Sequence, residues 1–304
     1  MKSALAMGTV GTEKRGSGLR RFWASDPRRR FTRNTLGMIS LCWLLLVIVA
    51  VIIGPWFVRD PNVSDVLNRI KAPSAEFLAG TDQLGRDIFA RILAGGRVSM
   101  MVALSATVLS VIFGVFLGVV SGYRGGLFDD ITTRIFDVLL SFPTLLLGIM
   151  VIAAFGSSLM TVVIAISIAT VPMVARLARA GAISVKPREY IQGVIALGIP
   201  THRILLRHVL PNIIVPVLVL STGNMGRLAL AESGLSYVGA GIQPPEASWG
   251  NMIAEGQAYL QYAWWIPVIP GTVLTLVTLA FSFVGDALRD AFDVREFVGD
   301  NDAG

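Results

Sequence analysis

The sequence predicts an all-α polytopic membrane protein with six transmembrane helices. Of its 304 residues, 54% are hydrophobic and only 15% are charged, whereas an average soluble domain has about 25% charged residues. The mean hydropathy is +0.67. The apolar residues also stand in long uncharged runs instead of the periodic stripes of a water-exposed helix, which indicates that lipid is the solvent of most of the chain.

Six uncharged runs are the candidate transmembrane helices. A hydrocarbon core of roughly 30 Å requires about 20 helical residues. The fourth and fifth runs are short and contain Pro172 and Pro216, respectively, so their ends are the least defined. The fifth run is extended past Arg227. The runs cover residues 36–58, 98–123, 138–155, 159–174, 212–225 and 263–284.

The distribution of positive charge predicts that both termini of the chain are cytoplasmic. Six spans with a cytoplasmic N-terminus place residues 1–35, 123–137, 175–211 and 285–304 inside, and these segments hold 19 of the 26 Lys and Arg residues. Segment 59–97 on the other side holds six. This asymmetry follows the positive-inside rule. Because it gives the basic residues a role at the membrane surface, nucleic-acid binding is not predicted.

The chain is predicted to form one domain with an N-terminal extension. Residues 1–35 form a basic tail, and residues 36–97 contain the first transmembrane helix and an extracytoplasmic segment. Residues 98–295 form a five-helix core that includes the long cytoplasmic loop 175–211, and residues 296–304 form a C-terminal tail.

An amphipathic pattern near the end of the extracytoplasmic segment predicts a further helix. Ile88, Phe89, Ile92 and Leu93 fall on one helical face, with Arg91 opposite. This pattern fits a helix that lies on the membrane surface, and it fits equally a helix packed on the spanning bundle.

The long cytoplasmic loop is predicted to form two helices joined by a tight turn. Pro187 fits the first turn of the first helix, where its missing N–H costs nothing. Gly198 fits the left-handed position that ends this helix, and Pro200 prevents its continuation. Thr201 can cap the second helix, which is expected to end at residues 210–211, where the fifth span begins.

The first of these two helices has an apolar face, formed by Tyr190, Ile191, Val194 and Ile195. An apolar face directed into the cytoplasm, away from lipid, requires a protein partner.

Four separated stretches of the sequence resemble a known family. Residues 189–198 (EYIQGVIALG), followed by 207–212 (RHVLPN), are similar to the EAA loop of binding-protein-dependent ABC permeases. Residues 78–87 (LAGTDQLGRD), 235–252 and 285–291 (GDALRDA) are similar to stretches of the dipeptide, oligopeptide and nickel branch of that family.

The resemblance implies the type I ABC importer permease fold and a loop that couples to a cytoplasmic ATPase. Gln192 stands where the family usually has a glutamate, and it has no charge for an ion pair. The residues at the motif positions of the coupling loop are Glu189, Tyr190, Gln192, Gly193, Val194, Ala196, Gly198, His208, Leu210 and Pro211.

The resemblance also implies the partners of the chain, at the bacterial inner membrane. These are a similar second permease subunit in a heterodimer, two ATPase subunits that bind ATP and magnesium, and an extracytoplasmic substrate-binding protein. The chain itself is then not an enzyme and binds no cofactor, and its sequence contains no Gly-x4-Gly-Lys-[Ser/Thr] motif for ATP.

The implied cargo is a di- or oligopeptide, with nickel, glutathione or another small solute as the alternatives. A site that selects Ni²⁺ would use imidazole or thiolate groups. The predicted spans contain no histidine and a single thiol, Cys42. This composition favours a peptide.

Two alternatives of another class, a proton-coupled transporter and a membrane-embedded hydrolase, need ionisable groups at membrane depth. Arg227, followed by Glu232, is the exception within the predicted spans. Arg227 and Glu232 are the candidates for the translocation path, where Arg227 would attract a substrate carboxylate. Alternatively, Arg227 reaches to the outer interface or pairs with Glu232. The two histidines, His202 and His208, lack a cysteine or carboxylate cluster, so no metal site is predicted.

Overall fold

The computed structural model describes residues 27–292, so most of the predicted N-terminal tail and all of the predicted C-terminal tail lie outside the described residues. The described part is built from helices, as predicted. They are α1 (Pro27–Arg33), α2 (Thr35–Ile53), α3 (Ile88–Arg124), α4 (Gly126–Ser141), α5 (Thr144–Phe155), α6 (Leu159–Val185), α7 (Glu189–Ala196), α8 (Thr201–Ile204), a π-helical turn (Leu205–Val209), α9 (Leu210–Tyr237), α10 (Trp249–Gly256) and α11 (Trp265–Ala291).

Five helical stretches are long and apolar enough to cross a membrane. They cover Thr35–Trp56, Ile88–Arg124, Leu159–Val185, Thr201–Tyr237 and Trp265–Ala291. The consecutive helices α4 and α5 provide a sixth candidate, although they are bent by 97° with respect to each other. The described residues therefore agree with the prediction of six spans when this bent pair counts as one.

The bend between α4 and α5 lies at Phe142 and Pro143. Phe142 has an extended backbone (φ −89°, ψ 135°), which is the conformation that a following proline favours, and Pro143 has no N–H to continue a helix. The single helix predicted over residues 138–155 is therefore wrong. Residues 138–141 end α4, and α5 starts at residue 144.

Helix α3 starts at Ile88, well before the predicted start at residue 98. Asp87 caps it, because its Oδ1 accepts a hydrogen bond from the N–H of Phe89 at 2.8 Å. Ile88 and Ile92 are buried, and Arg91 is only 1% exposed. This stretch therefore packs on the bundle, and the alternative of a helix on the membrane surface is wrong.

A buried group of charges holds segment 57–87 against α3 and α10. Arg86 Nε lies 2.5 Å from Asp82 Oδ2, and Arg86 Nη2 lies 2.7 Å from Glu255 Oε2. Arg91 adds contacts of 3.7 and 3.5 Å to the same two carboxylates. Two positive and two negative side chains thus neutralise one another, which is the condition for burying charge without a large desolvation cost.

Helices α3 and α6 pack along a stripe of glycines spaced four residues apart. A Cβ at Gly114 would lie 2.7 Å from the Cβ of Val174, and a Cβ at Gly122 would lie 2.6 Å from the carbonyl oxygen of Arg179. A side chain at these positions would push the helices apart. Small residues allow the same close approach between helices of other membrane proteins.

The outer surface of the bundle is apolar. Leu46, Phe116 and Met150 are 60%, 64% and 59% exposed, respectively. A continuous apolar surface of this kind would be unstable in water, whereas lipid chains solvate it. The burial pattern therefore agrees with a membrane-spanning bundle whose polar contacts lie inside.

Candidate functional site

The loop between α6 and α9 contains the predicted coupling residues. Because α6 continues to Val185, the predicted loop start at residue 175 is wrong, and we call residues 186–211 the coupling loop. Its first helix, α7, starts at Glu189 after Arg188, whose backbone is extended (φ −64°, ψ 139°). Pro187 therefore lies before the helix, in the turn that follows α6, and the prediction that it occupies the first turn is wrong. The acidic Glu189 lies at the positive end of the α7 dipole.

The turn after α7 has the geometry predicted for it. Gly198 has a left-handed backbone (φ +72°). Its N–H donates to the carbonyl of Ile195 at 2.9 Å, and the N–H of Ile199 donates to the carbonyl of Val194 at 3.4 Å. These two bonds form a Schellman motif, which satisfies carbonyl groups at the helix end. The predicted position of Gly198 in the turn is confirmed.

Only part of the predicted apolar face of α7 is free for a partner. Ile191 is fully buried in a cluster with Val209 and Ile213, and Val194 packs against that cluster. Tyr190 and Ile195 are 42% and 39% exposed. The prediction that all four residues face outward is therefore wrong, because Ile191 and Val194 attach the loop to its own bundle.

Polar contacts also hold α7 in place. Lys186 Nζ donates to the carbonyl oxygen of Tyr123 at 2.8 Å and lies 5.3 Å from the centre of the Tyr123 ring. Gln192 Nε2 donates to the carbonyl oxygen of Lys186 at 2.9 Å. The uncharged Gln192 thus makes a local hydrogen bond that closes the turn between α6 and α7.

The outward surface of α7 and of the turn after it includes small and large apolar residues beside the exposed polar side chains of Glu189 and Gln192. Gly193, Ala196 and Gly198 are exposed, and a Cβ at Gly193 or Gly198 would have no heavy atom within 4 Å. No contact within the described chain therefore requires a small residue at position 193. Leu197, next to these residues, is 79% exposed.

The second half of the loop continues directly into α9. The N–H of Leu210 donates to the carbonyl oxygen of Leu205, which widens the helix into a π-helical turn. Pro211 explains this turn, because it has no N–H for the carbonyl of Arg207 and its ring would collide with that group in a regular α-helix. The predicted helix end at residues 210–211 is therefore wrong. The predicted cap at Thr201 is wrong as well, because Thr201 is the first residue of α8 and Pro200 precedes it without a side-chain cap.

Asn212 connects the two ends of the coupling loop. Its Nδ2 donates to the carbonyl oxygen of the half-buried His208 at 2.6 Å and to the hydroxyl of Tyr190 at 3.1 Å. Sequence reasoning placed Asn212 at the start of a span and missed this role. The sequence signal for this role is weak, because Asn212 is a single amide at the start of an apolar stretch.

An ion pair outside the loop joins the end of α6 to α4. Arg179 Nε and Nη2 each lie 2.6 Å from one oxygen of Asp129, and Ser121 of α3 donates to Asp129 as well. A second pair, Arg176 with Asp137, joins the same helices at 2.5 Å and is about half exposed. Sequence reasoning did not find these pairs.

The two residues predicted for the translocation path lie in different surroundings. Arg227 is exposed, and its Nη1 donates to Asn224 Oδ1 at 3.2 Å. Glu232 has no exposed surface. It accepts hydrogen bonds from Ser99 at 2.7 Å and Ser236 at 2.8 Å.

No ion pair joins Arg227 to Glu232 within residues 27–292. The serine contacts connect Glu232 to α3 and to its own helix α9, and a role on the translocation path stays a prediction for both residues. Across the same residues no three His, Cys, Asp or Glu side chains are grouped so that they could hold a metal ion.

The fold and the loop define a class of protein: a multi-pass helical membrane protein with a helical loop between two of its candidate spans. The profile of the binding-protein-dependent transport system inner membrane component matches residues 114–297. A second profile, the N-terminal transmembrane domain of oligopeptide transport permease C, matches residues 21–73.

Curated relatives are similar over nearly the whole chain. A putative peptide transport system permease protein of Brucella abortus is 40% identical over 88% of this chain and 90% of its own length. A dipeptide transport system permease protein of Alkalihalophilus pseudofirmus is 38% identical over 88% of each chain. An oligopeptide transport system permease protein of Bacillus subtilis is 38% identical over 89% of each chain.

The chain therefore belongs to the family of binding-protein-dependent transport system inner membrane components, and it has the ABC permease fold of that family. The resemblance noted in the sequence is confirmed. A solved amino acid ABC transporter aligns to 64% of this chain and 91% of its own, with a TM-score of 0.49 and 15% identity. The assignment rests on the sequence matches, because this structural likeness is too low to contribute.

Proposed function

We propose that the chain is a permease subunit of an ATP-driven importer that carries di- or oligopeptides across the bacterial inner membrane. The observation that supports this most strongly is the agreement among relatives. Matches at 34–40% identity, each covering at least 86% of this chain, all have a peptide, dipeptide, tripeptide or oligopeptide in their names.

The proposed partners are a homologous second permease in a heterodimer, two ATPase subunits, and an extracytoplasmic substrate-binding protein. ATP and Mg²⁺ would bind the ATPases, and this chain would contribute no catalytic residue. The small and apolar outward surface of α7 supports the docking of an ATPase at the coupling loop. A rigid helix pressed into a groove of the ATPase would convert closure of the ATPase dimer into movement of the spans.

The proposed orientation places both termini and the coupling loop in the cytoplasm, as the cation asymmetry indicates. In a Cys42→Ala background, a single cysteine at the exposed Ser64 is expected to react with an impermeant thiol reagent in intact cells. A single cysteine at the exposed Ser184 is expected to react only after the membrane is permeabilised. Reaction of Ser184→Cys in intact cells would show that the orientation is reversed.

The cargo is tested by deleting the gene in its native host. We expect the deletion to confer resistance to a toxic di- or tripeptide and to abolish growth of an amino-acid auxotroph on the matching peptide. The wild-type gene on a plasmid is the control and restores both. Unchanged use of peptides, together with a loss of nickel-enzyme activity that excess nickel corrects, would refute the peptide assignment.

A further inference from the structure

An open apolar groove of about 470 Å³ lies on the outer surface of the bundle. One wall is the stretch of α3 from Val111 to Val120, and the other is the junction of α8, the π-helical turn and α9 from His202 to Ile214. All lining residues except His202 are apolar. The groove is distinct from the outward surface of α7 and from Arg227.

The depth of the groove is fixed by the end of α3 at Arg124. At 1.5 Å per helical residue, Val120 lies about 6 Å and Val111 about 20 Å from that end. In the proposed orientation this end of α3 is cytoplasmic, so the groove lies on the cytoplasmic side of the bundle. Both of its walls belong to stretches that are long and apolar enough to cross a membrane, Ile88–Arg124 and Thr201–Tyr237, and where these stretches lie in the bilayer, lipid chains surround them.

The length and lining of the groove suit a hydrocarbon chain. Its wall on α3 is nine residue rises long, or about 13 Å, and all of its lining residues except His202 are apolar.

The charge on the wall stretch from His202 to Ile214 indicates the headgroup of a bound lipid. Arg203 and Arg207 are exposed on the same wall element, and neither has an ion-pair partner among residues 27–292. The sequence has no acidic residue between 190 and 231, and none in α3. Cations beside the inner leaflet attract anionic lipid headgroups.

We propose that this groove binds an anionic phospholipid, with one acyl chain between α3 and α9 and the headgroup at Arg203 and Arg207. The lipid would fill the space beside the π-helical turn that joins the coupling loop to its span. The composition of the membrane would then affect how firmly the coupling loop is connected to the bundle.

The test uses the complete complex, purified with its partner subunits in mild detergent. The complex is equilibrated with an equal mixture of phosphatidylglycerol and phosphatidylcholine that share the same acyl chains, and bound lipid is counted by native mass spectrometry. We expect retention of phosphatidylglycerol over phosphatidylcholine. The double variant Arg203→Gln/Arg207→Gln is expected to reduce this preference on the order of tenfold.

Matched controls separate the groove from general effects. The double variant Arg134→Gln/Arg289→Gln removes two other exposed cations and is expected to keep the preference. Val115→Phe, which narrows the groove, is expected to lower retention of both lipids, whereas Leu104→Phe on the outer surface of α3 is not.

Two results would overturn the proposal. The first is an unchanged lipid preference in Arg203→Gln/Arg207→Gln, or an equal loss in the control pair. The second is loss of the second permease from the complex in Val115→Phe, which would make the groove a protein interface. If Val115→Phe does not assemble at all, the arginine variants decide alone.

Discussion

Replacing Gly198 by valine is expected to abolish transport by the assembled complex while the chain still inserts into the membrane. Gly198 has a φ of +72°, a conformation that costs an L-residue roughly 1–2 kcal/mol and a β-branched residue still more. That cost is too small to prevent a bundle of this size from folding. It is large enough to displace the short turn after α7, whose outward surface we propose as the ATPase contact.

The experiment compares peptide uptake, substrate-stimulated ATP hydrolysis and the amount of chain in the membrane. Gly198→Asn is the control for strain, because asparagine tolerates the left-handed conformation, and it is expected to retain much of the activity. Gly193→Ala introduces no strain, and the added Cβ would have no heavy atom of the described chain within 4 Å. A loss of transport in this variant would therefore indicate contact with a partner. Full transport by Gly198→Val would refute the docking role of this turn.

Replacing Asp129 by asparagine is expected to lower transport by at least tenfold with normal insertion. The carboxylate of Asp129 makes two hydrogen bonds to Arg179, and such charge-assisted pairs are worth about 2 kcal/mol when partly buried. An asparagine would direct its NH2 group at the guanidinium. The end of α6, from which the coupling loop starts, would then lose its more buried ion pair with α4.

The chain provides a matched control for this prediction. Arg176 and Asp137 join the same two helices, but their side chains are 53% and 55% exposed, and exposed pairs contribute about 0–1 kcal/mol. Asp137→Asn is therefore expected to have little effect on transport. Asp129→Glu keeps the charge and is expected to preserve part of the transport activity. An equal loss in Asp129→Asn and Asp137→Asn would contradict a special role for Asp129.

The spans and the turn of the coupling loop could be predicted because both are encoded locally. A long uncharged run is apolar whatever its neighbours are, and the glycine of a helix-ending turn is required by the conformation of that one residue. The limits of α3 were missed for the opposite reason. The sequence before residue 98 contains charges, and their burial depends on partners elsewhere in the fold.

The contacts that fix the site depend on residues far apart in the sequence. Asp129 and Arg179 are 50 residues apart, and Ser99 and Glu232 are 133 residues apart. A helical face likewise shows which residues are apolar, but not which side is covered by the chain itself. This is why the sequence could not distinguish the buried Ile191 from the exposed Tyr190.

Peptide uptake into proteoliposomes tests the central claim most directly. The complex of both permeases and both ATPases is reconstituted into the vesicle membrane. The binding protein and a labelled dipeptide are added on one side of the membrane, and ATP is supplied on the other. We predict uptake that requires ATP hydrolysis and continues in the presence of a protonophore. Uptake without ATP that follows an imposed proton gradient would contradict the account, because it would make this chain part of a proton-coupled transporter.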